Sequence, residues 1–142
     1  MKKYVSALLI VCVAIVIAFY ADAASGGDIS NVTRRMYESQ VYNTAEINAA
    51  MNMVEQKFKD SFVGCRMTEI WYDDYVSNAS ARDYARQFGY VEAIVILSDF
   101  IVDENGAGTS FLPGETYENW QWVLVRNTDD SSWELKTWGF QV

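Results

Sequence analysis

The chain has 142 residues, of which 51% are hydrophobic, 15% aromatic and 21% charged, with two cysteines and no histidine. That apolar share suits one folded domain and is too high for a disordered chain. The missing histidine excludes Ser-His-Asp and Cys-His nucleophile pairs, histidine-zinc centres and imidazole pH switches. The net charge of −8 argues against nucleic acid as a partner, because such binding needs Lys and Arg to displace counterions.

Lys2 and Lys3 precede an uncharged apolar run over residues 4–19, and Ala21-Asp22-Ala23 supplies the small-x-small pattern that a signal peptidase accepts. The run is shorter than the roughly 20 residues that cross a bilayer as a helix. Residues 1–23 are therefore expected to be a signal peptide, with a retained membrane anchor as the alternative. The folded part is then secreted or held at the cell surface, touching a membrane only through this segment. Cys12 follows Val11 in the middle of the apolar run and reads as one more hydrophobe. Cleavage after Ala23 would leave Cys65 alone, so stability must come from the core rather than from a disulfide. Residues 24–41 show no sustained period and read as a flexible tether, with a loose helical turn around 34–39.

Order is expected from Tyr42 onward. Asn43-Thr44-Ala45-Glu46 has the form of a capping box, with Tyr42 and Ile47 placed as a hydrophobic staple. Ile47, Ala50, Met51, Val54, Phe58 and Phe62 then recur at helical spacing, predicting a helix over 44–63 closed by Gly64. Residues 65–75 read as a strand, with Cys65, Met67, Glu69 and Trp71 on one face and Thr68, Ile70 and Tyr72 on the other. A shorter helix follows from a Ser80 cap, with Ala81, Tyr84, Ala85 and Phe88 as its stripe and Gly89 as its end. Residues 91–102 form the richest strand, apolar on both faces and so covered on two sides. A long loop over 103–118 leads to strands at 120–127 and 132–140. Loops too short for crossover helices make these strands antiparallel neighbours. The expected fold is α+β: a four-stranded antiparallel meander curled over one long N-terminal helix, with a short helix between its first two strands.

The capping-box segment 42–47, Gly64-Cys65, Glu92-Ala93-Ile94-Val95-Ile96-Leu97-Ser98 and Trp122-Val123-Leu124-Val125-Arg126-Asn127 together resemble a family of uncharacterised exported or lipid-anchored bacterial domains. That family is similar to the nuclear-transport-factor-2-like fold, the cystatin-like cone, and the similarity covers roughly residues 42–140. The family tends to end in a strand bearing a Trp, a His and a Gly-Tyr. Here Trp138-Gly139-Phe140 stands without a histidine, so any role resting on that imidazole is missing. The resemblance implies a cone-shaped sheet with a pocket between sheet and helices, in a fold that serves binding proteins and small-molecule enzymes alike.

No metal or cofactor is expected. Asp103 and Asn105 ahead of Gly106 resemble the start of a calcium loop, but Ala107 stands where the next ligand is needed. Asp99 points with Val95 and Leu97 by strand alternation, where desolvation would suit a carboxylate to general-base work. The bland reading is a hydrated acid at the rim, or a partner for Arg126. The aromatic load is the most distinctive feature. Trp71, Tyr72, Trp120, Trp122, Trp133 and Trp138, with Asp99, are the candidate ligand-binding residues, since rings give contact area at little entropy cost. The competing expectation is that the rings pack the core. The favoured function is a non-catalytic module that binds a small ligand or a protein at the cell exterior. The alternatives are a small carboxylate-based enzyme of the cone-fold isomerase type, with Asp99 as base, and a structural homodimeric accessory subunit.

Overall fold

The computed structural model describes residues 26–106, 110–128 and 132–140. The expected signal peptide, with Cys12, lies outside the described residues, among which no helix is long and apolar enough to cross a membrane.

Strand β1 (Thr33–Met36) opens the described structure inside the segment read as a tether. All four residues are exposed, so it carries no apolar alternation by which to recognise it. Ion pairs fix it instead. Arg34 donates to Glu55, and to Asn52 at 2.7 Å, while Arg35 pairs with Glu69.

Helix α1 (Thr44–Ser61) begins as the sequence predicts. The Asn43 side chain accepts the Glu46 backbone N–H at 2.9 Å, and the Glu46 carboxylate accepts the Asn43 N–H at 2.8 Å. Its buried stripe is Ile47, Ala50, Met51, Val54 and Phe58. Gly64, at φ +73°, lets the chain reverse into strand β2 (Cys65–Tyr72) at little steric cost.

Helix α2 (Asp74–Phe88) starts seven residues before the position expected from a Ser80 cap. Asp73 is its cap, accepting the Val76 N–H at 3.0 Å, so Asp73-Asp74 opens a helix rather than ending a strand. Strands β3 (Glu92–Val102), β4 (Thr116–Arg126) and β5 (Glu134–Gly139) complete the chain.

The sheet order is β1-β2-β3-β4-β5, with β1 parallel to β2 and the other neighbours antiparallel. The expected four-stranded antiparallel meander over one long helix is thereby corrected to a five-stranded mixed sheet with two helices. The two helices lie on opposite faces. Ile94 and Ile96 join the core under α1, whereas Ala93 packs with Ala85 of α2 and with Val125. Alternation in β2 is also interrupted. A bulge between Met67 and Glu69 puts Cys65 and Met67 on the same face as Ile70 and Tyr72, and turns Trp71 to the other.

Candidate functional site

Of the seven residues singled out in the sequence, Trp138 lines one of the concavities described below. Tyr72, Trp120, Trp122 and Trp133 belong to the core beneath α1. The Trp122 indole donates to Ser98 Oγ at 2.8 Å, and the Trp133 indole to the Glu46 carbonyl at 3.1 Å. Trp120 packs edge-on against Phe100, Phe111 and Phe140, and Phe62 stacks on Phe111 and Phe58.

Trp71 lies on the α2 face, with the Arg35 guanidinium 4.8 Å from its ring centre. Asp99 is engaged by the backbone rather than by Arg126. Its Oδ1 accepts the Asn119 backbone N–H at 2.9 Å, holding the irregularity at which Asn119 takes φ +55°. Trp138 is 41% exposed, lies 5.0 Å from the Lys57 ammonium and lines a concavity of about 340 Å3 with Tyr84, Thr137 and Phe140.

A larger concavity, of about 540 Å3, is walled by the chain between β1 and α1: Met36, Tyr37, Glu38, Gln40, Tyr42 and Ile47 among others. Asp74, in the first turn of α2, organises this segment. Its carboxylate accepts the Ser39 hydroxyl, the Gln40 N–H and the Tyr72 phenol, each at 2.7 Å. Ser39 Oγ in turn accepts the Val41 and Tyr42 N–H groups at 3.1 and 2.9 Å. Burial pushes the Asp74 carboxyl up, but its three donors outweigh that and hold its pKa below the usual carboxylate value. Burial, together with the bond to Asp74, raises the Tyr72 phenol, which stays protonated.

Tyr42 anchors the far end of the segment. Its hydroxyl donates to the Ala93 carbonyl at 3.1 Å, and its ring meets Trp133 edge-on at 5.5 Å. Beneath it runs Arg126, whose side chain is 3% exposed. The guanidinium lies 4.1 Å from the Trp133 ring centre and bonds Glu46 at 2.7 Å and Glu92 at 2.6 Å. Desolvation works against the buried charge, yet its two carboxylates raise the Arg126 pKa, and Arg126 in turn draws that of Glu46 down. A second concavity, of about 250 Å3, lies between α2 and residues 90–93, and Tyr42 lines it as well.

Sequence reasoning missed this region because it assigned residues 24–41 to a tether. One signal was available: Met36, Tyr37 and Val41 are large and apolar for a solvated linker. Among the described residues no group of three His, Cys, Asp or Glu side chains could hold a metal ion. Comparison of the chain with protein-family models, with curated proteins and with solved structures finds no match.

Proposed function

We propose that the chain is a non-catalytic binding module that holds an apolar segment of a partner protein in the concavity walled by residues 36–47. The observation that carries this reading is a firmly bonded segment that nonetheless exposes apolar side chains. In the concavity's lining, Met36 and Tyr37 are 39% and 51% exposed. Contiguous apolar exposure on an ordered surface is characteristic of interaction sites, and the volume of about 540 Å3 is in the range of binding clefts. Glu38 is the charged residue in that lining, so a segment carrying Lys or Arg beside its apolar anchor matches it best. An exterior location rests on the basic, apolar and small-residue pattern of residues 1–23. The isomerase-type reading has less support, because the Asp99 carboxylate is engaged by the Asn119 N–H.

Panning a random peptide display library against the full chain in detergent tests the reading. Peptides with an apolar anchor next to a basic residue are expected to be enriched, and to lose binding to a Met36→Ser, Tyr37→Ser variant. Enriched peptides that bind this variant as well as the parent would overturn it. So would light scattering showing that the parent, unlike the variant, covers this surface with a second copy of itself.

A further inference from the structure

We infer that the smaller concavity beyond Tyr42 is an anion subsite that takes a carboxylate side chain of the bound segment. This rests on the binding reading above and extends it to the charge pattern of the partner.

Four of the nine basic residues among those described are committed to close ion pairs. Arg34 pairs with Glu55, Arg35 with Glu69, Arg126 with Glu46 and Glu92, and Lys136 with Glu134. Among the rest, Arg82 and Arg86 share a concavity, which Lys57, Lys59 and Arg66 do not line. The two arginines stand one turn apart on α2, hence on one face, and both line the concavity. Arg82 makes no ion pair among the described residues. Arg86 reaches Asp83 only at 3.5 Å, with both side chains more than 70% exposed, a contact that contributes little.

The walls of the subsite are already fixed. The Tyr90 hydroxyl donates to Glu134 at 2.7 Å, and the Tyr42 hydroxyl is spent on the Ala93 carbonyl. Glu92, the acid in the lining, is paired at 2.6 Å with Arg126, which it shares with Glu46. Ala81, Ala85 and Ala93 form a floor without long side chains. At about 250 Å3 the space suits one side chain rather than a whole small molecule. Two guanidinium groups over an apolar floor recognise a planar carboxylate through charge-assisted hydrogen bonds. Tyr42 walls both concavities, so one extended segment can reach Glu38 with a base and the two arginines with an acid.

The test uses peptides enriched on the full-length parent, measured by fluorescence anisotropy against three proteins. An Asp or Glu is expected in the enriched peptides. The Arg82→Gln, Arg86→Gln variant should bind them about tenfold more weakly, the loss of one charge-assisted contact. An Arg82→Glu, Arg86→Glu variant should bind still more weakly, and should recover when the peptide's acid is replaced by Lys. Equal binding to all three proteins, or no recovery with the Lys peptide, would overturn the anion subsite while leaving the binding reading intact. The converse failure is separate: peptides sensitive to the arginines but indifferent to Met36→Ser, Tyr37→Ser place the segment elsewhere. Both arginines are solvent-facing, so unchanged far-ultraviolet circular dichroism is expected for each variant.

Discussion

The two faces of the sheet are built from different materials. Under α1 the sheet contributes Phe100, Trp120, Trp122 and Leu124, and the helix answers with Met51, Val54 and Phe58. Under α2 the shared cluster is Ala85, Ala93 and Val125, ringed by Ala81, Tyr84, Phe88 and Tyr90. Large rings interlock and leave no room, whereas alanines bring a helix close but do not fill its margins. Two of the concavities described above lie at the margins of α2, and the third is walled by a segment that α2 holds through Asp74. The ring-packed face holds the larger buried cluster, and two concavities border α2, while the third lies where the segment held by Asp74 meets the first turn of α1.

The contrast is most exposed to test in the packed face. Trp122→Ala removes a fully buried ring and should cost about 3–5 kcal/mol in urea denaturation. Ala85→Gly on the opposite face should cost about 1 kcal/mol, the helix-propensity difference. Comparable losses from the two would erase the distinction. Arg126→Met is the next largest effect. Breaking a buried pair costs about 3–5 kcal/mol, but Glu46 and Glu92 keep 21% and 28% exposure, so a smaller loss is expected. About 2 kcal/mol by thermal denaturation would agree with that partial burial. Asn43→Ala, which deletes the cap of α1, should cost about 1 kcal/mol.

Acid sharpens the comparison further. Glu46 and Asp74 have folded pKa values below their usual 4.5 and 3.8. Such carboxylates contribute fully above the unfolded value and lose that contribution as pH falls through the folded one. The concavity walls should therefore loosen as pH drops below 4.5, while the ring-packed core, without such groups, holds longer. In an NMR titration the Trp133 indole N–H, bonded to the Glu46 carbonyl, should move before that of Trp122. The smallest effect is expected at the exposed rim: Tyr37→Ser should change stability by less than about 0.5 kcal/mol.

Much of what was legible in the sequence is local. The Asn43-Glu46 box and the Ile47–Phe58 stripe depend on residues three and four apart, and α1 follows from them directly. Gly89 closes α2 in the left-handed conformation for the same kind of reason. β1 was not legible, because its partners Glu55 and Asn52 are 21 and 18 residues away and its own side chains are all exposed. The faces of β2 were misread because one bulge inverts every residue beyond it. The candidate site was hidden for a related reason. The Asp74 bonds that shape it span 34 and 35 residues, and no pattern within residues 36–47 announces them.

Arg126 joins Glu46 across 80 positions of chain. The first turn of α1, which forms one wall of the concavity, therefore acquires its clamp only when the fourth strand has arrived. During synthesis the early segments emerge without it, and a chain stopped before residue 126 would keep the Asn43 cap but leave Glu46 without its cation. Competence to receive a partner is then coupled to completion of the sheet, so a half-made chain presents a wall that is not yet braced.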